Sequence, residues 1–282
     1  MSFAALSGLV IVATPIGNAG DITLRALDLL RRASRIACED TRVTGRLMAR
    51  YGIATPLLAY HEHNAARMRP LLLERLRRGE TIALVSDAGT PLISDPGYKL
   101  VRAAVEGGIP VTTLPGASAA LAALVLSGLP TDRFFFVGFL PPRTAARRSE
   151  LAPLGAIPAT LIFFESAGRL ADSLADMAAE LGTRDAAVAR ELTKLYEEVR
   201  RGSLTELAAH YAAAEPPKGE IVIVVAPPAA AEEASDDAID AALRTALAQA
   251  SLRDAVATVA TALAAPRRRV YARALALAGS KP

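Results

Sequence analysis

The chain has 282 residues, 52% hydrophobic and 22% charged, with a formal net charge of +3. That balance excludes a disordered chain, and the length accommodates two α/β domains plus an appendage. A single cysteine, Cys38, excludes an internal disulfide and suits a reducing cytoplasm, and no apolar stretch reaches the roughly 18–20 residues a membrane span needs.

Apolar runs bounded by turns place strands at 8–13, 35–38, 57–60, 81–86 and 109–113. Helical patterning falls near 22–32, 42–50, 64–78, 97–107 and 117–127. This alternation predicts a mostly parallel sheet covered on both faces. Ser127-Gly128-Leu129-Pro130 breaks the rhythm and ends a first α/β domain, residues 1–128. A second α/β domain, 129–228, opens on the apolar run Phe134-Phe135-Phe136-Val137. A basic Pro/Arg loop follows at 141–148, then strand 159–165, helix 168–181 and strand 186–191. A hairpin-like turn at Arg201-Gly202, helix 203–214 and strand 220–226 complete it, and Tyr196 to Leu204 points to some antiparallel pairing. After Pro227-Pro228, residues 229–282 form an alanine-rich helical extension, with Asp236-Asp237 at a helix start and Arg267-Arg268-Arg269 between two helices.

The segment SDAGTPLISDPG (86–97) follows the buried run Ile82-Ala83-Leu84-Val85. Ligands of open α/β sheets bind at such carboxyl ends of strands, and this loop offers the acceptors Asp87, Ser94 and Asp95 beside glycines that let backbone come close. TPIGN (14–18) and LPGAS (114–118) end two further strands, so three loops converge on one edge. TPIGN is not G-x-G-x-x-G, and its proline removes an N–H donor, which argues against a dinucleotide pyrophosphate. HEHN (61–64) lacks the i, i+4 spacing of a zinc protease and has no cysteine or third histidine nearby, so it reads as a polar loop facing substrate rather than a metal site. No G-x-S-x-G elbow is present. In CEDTR (38–42), Asp40 reads as a helix cap with Arg42 exposed. Phe164-Glu165-Ser166 and Arg190-Glu191-Leu192-Thr193-Lys194 put charged groups at two more strand ends, as surface ion pairs or as a functional rim. Arginines cluster at Arg143, Arg147 and Arg148 and again at Arg267, Arg268 and Arg269, either as solvated surface or as contacts to nucleic acid.

Taken in order, TPIGN, CEDTR, HEHN, SDAGTPLISDPG, LPGAS, SGLP (127–130), GFLPPR (138–143), ES…R (165–169), ELTK…E (191–197) and KGE (218–220) resemble one family. It is the bacterial 16S ribosomal RNA ribose 2′-O-methyltransferases acting on a decoding-centre cytidine, within the tetrapyrrole-methylase-like superfamily. The likeness extends into the tail through LRDAV (252–256) and RRRVYARAL (267–275). Where relatives commonly carry Pro-His before the arginine, this chain reads ESAGR, a departure that keeps Glu165 and Arg169 but does not carry over the family's side chains at 167 and 168.

The resemblance implies two α/β domains with S-adenosylmethionine bound between them, a homodimer, a cytoplasmic setting, and 16S ribosomal RNA or the small ribosomal subunit as substrate. By similarity the donor pocket falls on Pro15, Asp87, Ala88, Gly89, Thr90, Ile93, Ser94, Gly116, Ala117 and Ser118, with Phe164, Glu165, Ala189 and Ile221 from the second domain. The two arginine clusters would hold the RNA backbone. No metal is needed for transfer from a sulfonium. Catalysis is expected from Lys194, made less basic by desolvation so that it accepts the 2′-hydroxyl proton, and from Glu191, which orients it. The rival readings are a tetrapyrrole-ring methylase and an RNA-binding assembly module with a vestigial pocket.

Overall fold

The computed structural model describes residues 7–95, 97–229, 234–263 and 265–279. Pro96 of the 86–97 loop and both chain ends, assigned above to the first domain and to the extension, lie outside the described residues. The chain divides into two compact units at 228/229.

The first unit carries two sheets. In the first sheet, β1 (Leu9–Val12), β2 (Arg35–Cys38), β3 (Leu57–Ala59), β4 (Ile82–Val85) and β5 (Val111–Leu114) run parallel in the order β3-β2-β4-β1-β5. Every residue of β1 and β4 is buried, because helices cover both faces. Val10, Val12, Ile36 and Val85 pack with Leu29 and Leu30 of α1 (Leu24–Arg32) and Met48 of α2 (Thr41–Arg50). The alternate residues Leu9, Ile11, Ile82 and Leu84 pack with Leu72 and Leu76 of α3 (Glu62–Arg77) and Leu100 of α4 (Tyr98–Glu106). The side chain of Thr23 caps α1 and that of Asp40 caps α2, accepting from Ala26 N–H at 3.1 Å and Arg42 N–H at 2.8 Å.

α5 (Ala119–Ser127) leaves this sheet and lies on the next one. Its small side chains Ala120 and Ala123, with Leu124, let it approach Ile162, Ala189, Val222 and Val224 closely. The second sheet is mixed. It comprises β6 (Phe134–Phe139), β7 (Thr160–Ser166), β8 (Asp185–Arg190), β9 (Glu198–Ser203) and β10 (Glu220–Val225), in the order β6-β7-β10-β8-β9. Only β6 and β7 pair in parallel. Its other face is covered by α6 (Thr144–Leu154), α7 (Leu170–Leu181) and α8 (Leu204–Ala213), through Leu151, Leu174, Met177 and Leu207 on Phe163, Val188 and Ile223.

In the second unit, α9 (Asp236–Leu247), α10 (Leu252–Ala262) and α11 (Arg267–Gly279) close around Ile239, Leu243, Val256, Val259 and Val270.

Four local expectations are corrected. The basic stretch 141–148 is a loop only to Arg143, beyond which Thr144-Ala145-Ala146 begins α6. Arg201-Gly202 lies within β9, because the reversal after β8 occurs earlier, at residues 191–197. Arg267-Arg268-Arg269 is the first turn of α11, not a link between helices. HEHN is not a loop: His61 is the N-cap of α3, where Asn64 Oδ1 accepts His61 N–H at 3.0 Å.

Candidate functional site

Parallel pairing sets the ends of β4, β1 and β5 side by side, so their loops meet. Thr14 N–H donates to Gly89 O at 2.9 Å, and Gly89 N–H returns a bond to Thr14 O at 3.0 Å. The Thr14 hydroxyl donates to Ser86 O at 3.1 Å, and the Thr90 hydroxyl to Ala117 O at 3.1 Å. Gly89 holds φ +80°, in the left-handed region that favours glycine. Leu92 and Ser94 also sit at positive φ, 73° and 64°, so the loop stores backbone strain beside the site.

A cavity of about 420 Å³ opens between these loops and the second sheet, a volume typical of small-molecule sites. Ile16, Phe139, Phe164, Ile221 and Val222 give it an apolar wall, and Asp87, Asp95, Glu165 and Glu220 an acidic one. Phe139 packs edge-on to Phe164 with centroids 5.5 Å apart. Ser118 caps α5 at the cavity margin, so the helix N-terminus faces the cavity with its partial positive charge.

Of the residues expected at a donor pocket, Asp87, Ala88, Gly89, Thr90, Ile93, Ser94, Ser118, Phe164, Glu165 and Ile221 line this cavity, whereas Pro15, Gly116, Ala117 and Ala189 do not. A Cβ on Gly116 would stand 2.9 Å from that of Ala13, so this glycine serves the close packing of the loops behind the cavity. Ala189 belongs to the apolar layer beneath α5. Ile16, Ala119, Phe139, Ser166, Ala167, Gly219, Glu220 and Val222 also line it, although the sequence reading does not assign them to the donor pocket, and Asp95, read there as a ligand acceptor, completes the lining. The signal was present for Phe139 in GFLPPR and for Gly219-Glu220 in KGE.

The four cavity carboxylates differ in their surroundings. Glu165 is buried and saturated. It pairs with Arg169 at 2.6 Å and accepts from Ser166 N–H at 2.7 Å and the Ser173 hydroxyl at 2.5 Å. Glu220 pairs with Lys194 at 3.0 Å, and Asp87 accepts the Asp40 N–H at 3.1 Å. Asp95 has no cationic partner among the described residues. Burial, then the charge of Glu39, pushes its carboxyl up to about 6, with Asp87 adding to this and a bond to Ser86 opposing it. In the unfolded chain Asp95 ionises near 3.8, so folding is penalised as pH rises from about 4 to about 6, and the penalty persists above. Asp95→Asn should therefore raise Tm at pH 8 by about 2–4 °C, for about 1 kcal/mol once solvent screening is discounted, and leave it unchanged near pH 4. Thermal scans at the two pH values check this; an equal shift at both would contradict it.

Lys194 departs from expectation. Its ammonium bonds Glu191 Oε1 at 2.7 Å and Glu220 Oε2 at 3.0 Å. Desolvation pulls its pKa down, but those two bonds outweigh it and hold the group above its ordinary value. Clamped between two carboxylates, Lys194 is more basic than an ordinary lysine rather than less. Glu191 and Thr193 adopt positive φ, 51° and 65°, in the tight loop that follows β8. That loop docks on TPIGN: Asn18 N–H donates to Thr193 Oγ1 at 3.0 Å, and a Cβ on Gly17 would meet Lys194 Cγ at 2.5 Å.

The first arginine cluster is also corrected. Arg147 is 2% exposed and pairs with Asp176 at 2.6 Å, so it supports α6 on α7 and is withdrawn from RNA contact. Arg148 pairs with Glu180 at 2.6 Å on the surface, and Arg143 is exposed at the start of α6. In the second cluster Arg269 pairs with Asp236 at 2.8 Å. Among the described residues, no group of three or more His, Cys, Asp or Glu side chains is placed to hold a metal ion.

Residues 8–208 match the family of tetrapyrrole (corrin/porphyrin) methylases, and residues 233–278 match the RsmI C-terminal HTH domain. The chain is 58% identical over 213 residues to a ribosomal RNA small subunit methyltransferase I of Mesorhizobium japonicum, covering 75% of this chain and 72% of that protein. To the protein of the same description from Erythrobacter litoralis it is 53% identical over 270 residues, covering 96% and 95%. Among solved structures, a diphthine synthase superposes with TM-score 0.62 at 17% identity, covering 77% of this chain and 89% of that one. A uroporphyrin-III C-methyl transferase from Thermus thermophilus, complexed with S-adenyl homocysteine, superposes with TM-score 0.53 at 21% identity, covering 77% and 96%. These structures share the fold.

Proposed function

This chain belongs to the tetrapyrrole (corrin/porphyrin) methylase family, and from that premise we propose that it is the enzyme that methylates 16S ribosomal RNA in the small subunit, at the ribose 2′-hydroxyl of a cytidine. The observation that carries the reading is kinship over nearly the whole length, helical unit included, to ribosomal RNA small subunit methyltransferases. The tetrapyrrole-ring rival rests on the family match over residues 8–208 and on the fold, but the uroporphyrin-III enzyme is 21% identical and the ribosomal RNA methyltransferase of Erythrobacter litoralis 53%.

The methyl donor is S-adenosylmethionine, and the cavity fits it. Phe139 and Phe164 offer aromatic surface to a base and to a sulfonium, and the start of α5 at Ser118 suits its carboxylate. Asp87 and Asp95 give acceptors for its cationic groups. When bound, the donor supplies an electrophilic methyl whose transfer to oxygen is an in-line displacement. The chain's part is then to hold the ribose oxygen in line and to keep water out, which supplies much of the rate in such reactions. Lys194, with Glu191 and Glu220, acts as a charged clasp that ties the loop after β8 to the start of β10, and TPIGN docks on that loop through the bond from Asn18 N–H to Thr193 Oγ1. Arg143, with Arg267 and Arg268 of α11, meets the RNA backbone. The enzyme works in the cytoplasm as a homodimer, a state favoured by exposed apolar side chains such as Val125 and Leu195.

The test is transfer of labelled methyl from S-adenosylmethionine by the purified chain, offered small subunits from a strain lacking the enzyme or, separately, a porphyrinogen. Label in 16S ribosomal RNA is the expected result. Label in the macrocycle alone would overturn the reading.

A further inference from the structure

The helical unit has a notch of about 410 Å³ lined by Arg253, Val256, Arg267, Arg268 and Tyr271, at the first turns of α10 and α11. Its composition is unusual for a surface. The side chains of Arg253, Arg267 and Arg268 border it, and no carboxylate lines the notch. None of the three has a hydrogen-bond or ion-pair partner among the described residues. The next arginines along α11 behave differently: Arg269 pairs with Asp236, and Arg273 with Asp236 and Asp240. The unit's acidic side chains thus neutralise the arginines that tie α11 to α9 and leave those at the notch uncompensated. Three cationic side chains bordering one notch repel one another unless an anion joins them.

The notch is more than a basic patch. Val256 is 1% exposed and forms an apolar floor, while Tyr271 is 47% exposed and leaves ring surface accessible. An inorganic anion has no use for a tyrosine face. A nucleotide has use for both, because its base stacks on an aromatic ring while its phosphates take the guanidinium groups. A base in a duplex has both faces covered by its neighbours, whereas an unpaired base has a face to offer.

We propose that this notch binds one unpaired nucleotide of an RNA strand, its base on Tyr271 above Val256 and its flanking phosphates on Arg253, Arg267 and Arg268. The inference rests on the reading that the substrate is RNA, and it names where and in what form the helical unit grips it. Arg269 is removed from the phosphate-binding set and assigned to holding the unit together.

The test measures binding of a short fluorescent single-stranded RNA, and of a duplex of the same sequence, to the full chain. Tyr271→Ala should weaken the single strand about 5- to 100-fold, and Tyr271→Phe should retain most of the affinity, because the ring rather than the hydroxyl carries the stacking. The double variant Arg267→Gln/Arg268→Gln should reduce the slope of log affinity against log salt by about 0.7 for each phosphate left without its guanidinium. S-adenosylmethionine affinity and helical circular dichroism should match the parent chain, which separates a weakened RNA grip from a failure to fold. Equal binding of duplex and single strand, or Tyr271→Ala binding like the parent, would overturn the proposal. Methyl transfer to 16S ribosomal RNA is read separately: intact transfer with an inert notch sinks this inference alone, and absent transfer sinks the functional reading.

Discussion

Gly89→Val is expected to cost the chain its methyl donor while leaving it folded. Gly89 sits at φ +80° with both backbone groups bonded to Thr14, so it cannot swing aside. Its Cβ would stand 3.2 Å from Ile16 Cγ2, and the two branches of valine would have to share the cavity with whatever binds there. A β-branched residue at positive φ adds strain of about 1–2 kcal/mol to the overpacking. Together these predict a loss of S-adenosylmethionine affinity on the order of 100-fold, with Gly89→Ala less affected. Calorimetric titration of folded protein checks it. Native affinity in Gly89→Val would put the donor site elsewhere.

Arg147→Ala is expected to give the largest loss of stability among arginine variants, with no specific loss of RNA binding. Removing the guanidinium leaves Asp176, 8% exposed, as an uncompensated charge between α6 and α7. Breaking a buried pair in this way costs about 3–5 kcal/mol. Arg148→Ala should cost about 0–1 kcal/mol, since its partner Glu180 remains in reach of water. Denaturant unfolding of both variants, with Arg147→Ala/Asp176→Ala as the cycle partner, measures this. Recovery of stability in the double variant is expected, and equal single-variant losses would contradict the account.

The first sheet was legible because a strand buried on both faces must be apolar throughout, as Leu9–Val12 and Ile82–Val85 are, and because glycine and proline mark where such strands stop. The meeting of TPIGN, 86–97 and LPGAS followed from the strand-end rule. What remained hidden depends on partners distant in sequence. Nothing local to Arg147 distinguishes it from Arg148; Asp176, on another helix, buries one and not the other. Lys194 looks like an unpaired strand-end lysine until β10 inserts between β7 and β8 and carries Glu220 to its ammonium. That same insertion brings Gly219, Glu220 and Val222 to the cavity, a wall that a reading of parallel βα units does not foresee. Helix starts hidden in polar stretches, at His61 and Thr144, were missed because their first residues look like loop chemistry.

As proposed above, the cavity and the helical unit serve methylation of a ribose in 16S ribosomal RNA. The most direct test is nucleoside mass spectrometry of 16S ribosomal RNA from a strain lacking this enzyme, before and after treatment of its small subunits with the purified chain and S-adenosylmethionine. One ribose-methylated cytidine should be missing before treatment and restored by the parent chain but not by Gly89→Val. A restored methyl on the base rather than the ribose, or RNA whose nucleosides do not change, would contradict it.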